Sequence, residues 1–362
     1  MTTASTSFQQ AAWRRLRKNK GAMSGLVVIA LSVIVALFAY FIAPDSSPYA
    51  NRIILEIGGE KPGHQQTFLK VKNNRIVGHS SFFTQLMSGT SDRYNYLPVT
   101  SHEIKGDSII VQKYIDEGLT ERQAYHLGMA DKSPITTKKF LLGTDKYGRD
   151  ILSRLIIGTR VSLSVGLITV IISLSIGLIL GSLAGYFRGK TDDIIMWFIN
   201  VIWSIPTLLL VFAITLALGK GFWQVFIAVG LTMWVNVARL VRGQVLGVRE
   251  LEYVEATRAL GFSNIRTIVR HIWPNIMGPV IVIAASNFAS AIVIEAGLSF
   301  LGVGVQPPQP SWGLMIKENY NFIITQNPML ALAPGFAIML LVLAFNLLGN
   351  GLRDALNVRG RI

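Results

Sequence analysis

Long runs without a charged side chain set the terms for this sequence. No Asp, Glu, Lys or Arg occurs between Lys20 and Asp45, between Arg160 and Arg188, or between Asp193 and Lys220. Each gap exceeds the roughly 20 residues a helix needs to cross the hydrocarbon core of a bilayer. A shorter uncharged gap runs from Lys220 to Arg239, and further apolar stretches cover about 276–304 and 329–349. Six membrane spans are therefore expected. Composition agrees, with 15% charged residues against about a quarter in soluble domains. The fold class this predicts is an all-α polytopic membrane protein.

The first span follows basic residues as a signal peptide does, but its apolar run is longer than a signal h-region and no small-residue cleavage site follows. It reads as a retained anchor. Lys and Arg cluster on the cytoplasmic side of spans. Arg14, Arg15, Arg17, Lys18 and Lys20 precede span one, and Arg188 and Lys190 sit between spans two and three. Arg239, Arg242, Arg249, Arg258, Arg266 and Arg270 lie between four and five, and Arg353, Arg359 and Arg361 follow span six. With six spans all these segments share one side, so both termini are expected in the cytoplasm. The formal charge of +14 then reflects orientation rather than nucleic-acid binding. The absence of cysteine excludes disulfides and thiolate metal sites.

Residues 1–43 thus form a cytoplasmic N-terminus and the first span, 44–140 an extracytoplasmic insertion, and 141–362 the remaining five helices. The insertion is expected to be α+β. Ile53–Ile57, Phe68–Val71 and Ser108–Ile115 carry β-branched and aromatic strand character. Leu119–Gly128 reads as a short helix, with Thr120 and Gln123 spaced as a capping box.

The stretch AGYFRGKT (184–191) comes within one residue of a phosphate-binding loop. Ala184 stands at the first glycine position and Gly185 comes one place too late. The stretch also follows a membrane span, whereas a P-loop follows a short buried strand. It is read as the cytoplasmic turn between spans two and three, and no catalytic, cofactor-binding or metal-binding residues are expected anywhere in the chain.

Between spans four and five the chain reads EYVEATRALGFSNIRTIVRHIWPN, within a cytoplasmic loop of about 248–275. Glu255, Ala256, Thr257 and Gly261, with Pro274 further on, resemble the EAA loop of ABC-transporter permeases. Thr257 replaces the pattern's second alanine, and Trp273 and His271 stand at its Leu and Ile positions. FLLGTDKYGRDILSRLIIGTRVSL (140–163) and EAGLSFLGVGVQPPQPSWG (295–313) resemble segments of the C-type subunit of the oligopeptide/dipeptide/nickel permeases. The 44–140 segment is longer than that family's usual connection.

The resemblance implies a type I ABC importer permease that moves peptides across the cytoplasmic membrane. Its expected partners are a second permease subunit, two ATP-binding subunits that hydrolyse the ATP, an extracytoplasmic peptide-binding protein and membrane lipid. It also implies that Glu255, Ala256, Thr257, Leu260, Gly261 and Pro274 couple the chain to the ATPase. Nickel or another small solute stays open as the cargo, and a membrane receptor or sensor stays open as a different class.

Gly143, Asp145, Gly148, Arg149 and Asp150 read either as a turn plus interfacial helix with local ion pairing or as an outer gate or receptor contact. Glu295, the acidic residue inside an expected span, reads either as a structural cap hydrogen-bonded inside the bundle or as a gate, because burying a carboxylate in a membrane is costly.

Overall fold

The computed structural model describes residues 8–73, 81–324 and 327–356. Arg359 and Arg361 lie outside them. Two compact units are present: residues 1–32, 162–305 and 338–362 in one, and 33–161 and 306–337 in the other.

Helices α1 (Phe8–Lys18) and α2 (Lys20–Leu37) open the chain, followed by a short turn of helix, α3 (Ala39–Ile42). Strand β1 (His64–Lys72), helix α4 (Phe82–Ser88) and strands β2 (Tyr94–Lys105), β3 (Ser108–Asp116), β4 (Leu119–His126) and β5 (Ala130–Phe140) come next. The remainder is helical: α5 (Ile151–Phe187), α6 (Gly189–Trp203), α7 (Thr207–Leu218), α8 (Phe222–Val248), α9 (Glu252–Ala259), α10 (Asn264–Thr267), α11 (Trp273–Phe300), α12 (Trp312–Asn319) and α13 (Met329–Leu356).

Among the described residues five helical segments are long and apolar enough to cross a membrane, six if the bent pair α6–α7 is counted as one span. The uncharged run from Asp193 to Lys220 is not one continuous helix. Instead α6 and α7 meet at 91° across Ser204–Pro206. Pro206 has no N–H to give the helix ladder and disfavours helical geometry in the residue before it. Helix α5 has 37 residues, about 55 Å at 1.5 Å per residue, so it outruns a hydrocarbon core of about 30 Å.

Small residues let the spans approach closely. A methyl group on Gly177, Gly181 or Gly185 of α5 would lie 2.5 Å from Val237 Cβ, 2.5 Å from the Ala238 carbonyl oxygen and 2.8 Å from the Arg242 carbonyl oxygen. Those glycines recur every fourth residue, one face of a helix, and they admit α8. Gly185, misplaced for a P-loop, is the last of this stripe. Gly25 of α2 meets the Ala344 carbonyl of α13 in the same way, at 2.5 Å.

In the other unit the strands form one antiparallel sheet in the order β4-β3-β2-β1-β5. Consecutive residues of a strand face opposite ways. Phe68 accordingly packs with Ile54, Ile57 and Phe140, while Leu69 packs with Val99, Ile109 and Val111. The strand expectations at Phe68–Val71 and Ser108–Ile115 fall inside β1 and β3.

Two local expectations are corrected. Leu119–His126 is strand β4 rather than a helix, with Thr120 opposite Tyr114 and Gln123 opposite Val111. Gly118, at φ +77°, turns the chain back on β3, and pairing with that strand outweighs the local capping signal. Ile53–Ile57 is not a strand either; Leu55–Ile57 is a single 3-10 turn. Its backbone is committed to tertiary contacts, with the Ile57 carbonyl accepting from Thr144 Oγ1 and the Ile54 N–H donating to the Tyr147 carbonyl at 3.0 Å.

Candidate functional site

Helix α9 is short, and in isolation a helix of this length is unstable in water. Its order comes from the residues it buries. Val254 is fully buried among Tyr186, Val241, Val245, Ile268 and Ile272. One turn on, Thr257 is 5% exposed. Its Oγ1 donates to the Val254 carbonyl at 2.7 Å and lies 3.2 Å from Thr267 Oγ1. The opposite side of α9, with Glu255, Ala256, Arg258 and Ala259, is exposed, and so is Leu260.

The helix ends in a Schellman turn. Gly261 N–H donates to the Arg258 carbonyl at 2.9 Å and Phe262 N–H to the Thr257 carbonyl at 3.0 Å. This closure requires the left-handed region at Gly261, where φ is +74° and a side chain is strained. No atom lies within 4 Å of where its Cβ would stand, so the requirement is conformational rather than one of space. Ser263 then caps α10, its hydroxyl accepting from Arg266 N–H at 3.4 Å. A π-helical turn over Ile268–Ile272 leads into α11, with Pro274 exposed in its first turn.

Two of the departures from the EAA pattern, Thr257 and Trp273, have side-chain hydrogen-bond partners. Thr257 has Thr267, and Trp273 Nε1 donates to Ser182 Oγ of α5 at 2.9 Å. The turn containing AGYFRGKT also braces this loop. Tyr186 OH donates to Asn264 Oδ1 at 3.0 Å, Arg249 donates to the Tyr186 carbonyl, and Arg188 pairs with Glu250. The Arg258 guanidinium sits 5.0 Å from the centre of the Tyr186 ring. Sequence reading did not connect these two stretches. The signal in the sequence for this contact is the aromatic–basic pair Tyr186–Arg188.

The 143–150 turn is a buried ion-pair network. Asp145 Oδ1 accepts from the N–H groups of Tyr147 at 2.9 Å and Arg149 at 3.0 Å, and its Oδ2 accepts from Arg149 Nε at 2.6 Å. Arg149 also donates to Glu318 Oε2 at 2.8 Å and Asn51 Oδ1 at 3.2 Å, and Arg154 reaches the same Glu318 oxygen at 3.4 Å. Asp145, Arg149 and Arg154 are 0%, 3% and 1% exposed. Glu318 and Arg154 were not singled out from sequence, since Glu318 lies far along the chain. Gly148, at φ +72°, has no room for a side chain: its Cβ would stand 1.7 Å from the Ile54 carbonyl oxygen.

Asp150 caps α5, its Oδ2 accepting from Ser153 N–H at 2.9 Å and from the Ser153 hydroxyl. Burial raises the Asp150 carboxyl above the ordinary carboxylate range, although the Ser153 hydrogen bonds oppose this. Nearby, Lys138 Nζ lies 4.0 Å from the centre of the Tyr96 ring and the Arg52 guanidinium 4.3 Å from it. Burial, reinforced by the Arg52 charge, lowers Lys138 to about 8.

Glu295 belongs to the other unit, fully buried on α11. Its Oε1 accepts from Ser299 Oγ at 2.6 Å, and that hydroxyl accepts from Val305 N–H at 3.0 Å. The carboxylate thus ties the end of α11 to the chain that follows.

The family described as binding-protein-dependent transport system inner membrane component matches residues 177–361, and the N-terminal TM domain of oligopeptide transport permease C matches residues 7–55. The chain is 31% identical over 357 residues to the dipeptide transport system permease protein DppC of Bacillus subtilis (strain 168), covering 99% of this chain and 88% of that protein. It is 40% identical over 232 residues to the oligopeptide transport system permease protein OppC of the same organism (64% of this chain, 75% of that protein). It is 43% identical over 216 residues to the glutathione transport system permease protein GsiD of Pectobacterium atrosepticum (60% of this chain, 71% of that protein). With its apolar helices, its N-terminal anchor and these matches, the chain belongs to the binding-protein-dependent transport system inner membrane components, as a multi-pass integral membrane protein.

Proposed function

We propose that this chain is one of two permease subunits forming the transmembrane conduit of an ABC importer for peptides. An extracytoplasmic binding protein delivers the peptide, and two separate subunits hydrolyse ATP on the cytoplasmic side. The observation that carries the reading is the construction of α9. One side of it is fixed by Val254 and Thr257, while Glu255, Ala256, Ala259 and Leu260 are left exposed. A short exposed helix clamped to span ends at its buried face can transmit the motion of whatever binds it. The names of the relatives, which transport dipeptides, oligopeptides and glutathione, support a peptide cargo.

In this reading the basic residues of the loops place both termini and α9 in the cytoplasm, with the segment 44–140 outside. Glu255, Ala256, Thr257, Leu260, Gly261 and Pro274 then form or support the coupling surface. The experiment is affinity purification of the chain from its native membrane, identification of what comes with it, and peptide uptake by the reconstituted assembly. The expected result is a second permease and nucleotide-binding subunits in the eluate, with ATP-dependent uptake of short peptides. Topology is read with a cysteine placed at Asn73, since the chain has none of its own. An impermeant thiol reagent should label it in intact cells. Purification without any nucleotide-binding subunit, together with labelling only after lysis, overturns the reading.

A further inference from the structure

The unit made of residues 1–32, 162–305 and 338–362 contains a cavity of about 620 Å³, lined by α6, α7, α8, α11 and α13. That volume lies within the range of sites for small ligands. Its polar lining consists of amides and hydroxyls, among them Asn236, Ser286, Asn287, Ser290 and Asn346, and no charged side chain lines it among the described residues. Arg239, one turn from Asn236 on α8, is engaged with Asn200 and Trp203 and does not itself line the cavity. Its Nη2 donates to Asn200 Oδ1 at 3.0 Å and its guanidinium stacks 3.7 Å from the centre of the Trp203 ring.

Two independent observations mark this cavity as built for a polar occupant. Asn287 is 4% exposed, yet its Nδ2 has no hydrogen-bond partner. A buried amide donor left unpaired costs free energy, and a ligand acceptor removes that cost. The break between α6 and α7 also opens here, with Ile202, Trp203, Ile205 and Thr207 in the lining. Non-helical backbone at membrane depth is tolerated where it lines a cavity or is buried in protein. The first N–H groups of α7, which starts at Thr207, have no acceptor within their own helix.

We propose that this cavity is a substrate-contact surface that reads the peptide main chain, with Asn287 donating to a backbone carbonyl of the passing peptide. The inference rests on the reading of the chain as a peptide permease and adds how cargo is handled. Every peptide offers the same amide groups, whereas its side chains differ in charge. A lining of neutral donors and acceptors satisfies the amides during desolvation and neither traps nor repels an acidic or basic side chain.

The test uses the complete reconstituted complex with its binding protein, and the tripeptides Ala-Ala-Ala, Ala-Lys-Ala and Ala-Glu-Ala. Asn287→Leu, close in size and apolar, should lower the maximal uptake rate of all three by about tenfold. Subunit composition and the ATPase turnover stimulated by loaded binding protein should stay at wild-type level. Asn287→Ser, which restores a donor, should recover part of the loss. Asn236→Asp should slow Ala-Glu-Ala relative to Ala-Lys-Ala by several-fold, a discrimination that mere loss of packing does not produce. Wild-type uptake by Asn287→Leu overturns the proposal. So does loss of the second permease from that variant's complex, which makes the amide face a subunit interface. If the wild-type complex turns over ATP but moves none of the three peptides, the peptide reading itself fails and the proposal falls with it.

Discussion

The hydroxyl oxygens of Thr257 and Thr267 lie 3.2 Å apart in a buried hydrogen bond that joins α9 to α10. Thr257 occupies a position where the EAA pattern has alanine, so its hydroxyl demands a partner that alanine would not. Removing one member leaves the other's buried hydroxyl less well satisfied, which costs about 1–3 kcal/mol, whereas removing both with retained shape is close to neutral. Thr257→Val and Thr267→Val should each lower the thermal stability of the purified protein and the recovery of ATPase subunits. The double variant should regain most of both. Additive losses in the double variant would show that the two hydroxyls are not coupled.

Gly261 tests the turn that follows. A side chain in the left-handed region costs roughly 1–2 kcal/mol, with Asn among the residues that tolerate it best. Nothing crowds the missing Cβ, so tolerance should follow conformational preference and not volume. ATP-dependent uptake should fall in the order Gly, Asn, Ala, Val at position 261, with topology unchanged. Glu255→Lys should abolish uptake by reversing the charge on the exposed side of α9. A crosslink from Ala259 to a nucleotide-binding subunit should form in the native complex. Normal transport by Gly261→Val without that crosslink would falsify the coupling role.

How much of this was legible from the sequence depended on how local each cause is. The spans followed from uncharged runs, because a membrane crossing needs only length and apolarity. Strands β1 and β3 followed from residue type. The Leu119–His126 segment did not, since Thr120 and Gln123 carry a helical cap signal and only pairing with β3 decides the matter. Pro206 was visible, but the direction of its break depends on what α6 and α7 pack against. The EAA-like loop was legible as a motif, whereas its support by Tyr186 and Arg249 joins residues distant in sequence. The same distance hid Glu318 from Arg149.

Glu318 is where the 143–150 network is most exposed to mutation. It accepts from both Arg149 and Arg154, and those guanidinium groups are almost completely buried. Deleting one partner of a buried ion pair costs about 3–5 kcal/mol because a charge is left behind uncompensated, while exposed pairs contribute about 0–1 kcal/mol. Glu318→Ala should therefore destabilise the protein far more than removal of the exposed Glu103, which pairs with Lys105. Thermal unfolding of the two variants in detergent compares them directly. Equal, small effects would assign the 143–150 turn to a moving gate rather than a fixed brace.

Lys138 gives the same unit a pH signature. Its folded-state pKa is lowered to about 8 from the ordinary lysine value of 10.5. Between those values the unfolded chain holds the proton and the folded chain has released it. The unfolded state thus binds more protons, and stability contributed by this group rises with pH across that window. Below about pH 8 both states are protonated and the penalty of burying the cation is fully present. Relative to Lys138→Met, wild type should therefore gain stability from pH 8 towards pH 10. A difference between the two proteins that stays constant over this range would refute the assignment.

Glu295 closes the comparison between gate and brace. Its Oε1 holds Ser299 Oγ, which in turn holds the Val305 N–H, so the geometry asks for an acceptor at that point and not for a charge. Gln supplies one acceptor oxygen of the same reach. Glu295→Gln should keep assembly, topology and uptake within about twofold of wild type. Glu295→Ala removes the acceptor. Hydrogen bonds to charged groups contribute about 1.5–3 kcal/mol, so this variant should unfold at lower temperature and lose uptake as the end of α11 loosens. Uptake by the two variants, measured beside their thermal stability, separates the roles. If Glu295→Gln assembles and unfolds normally yet no longer transports, the negative charge itself acts in the transport cycle and the bracing role is insufficient.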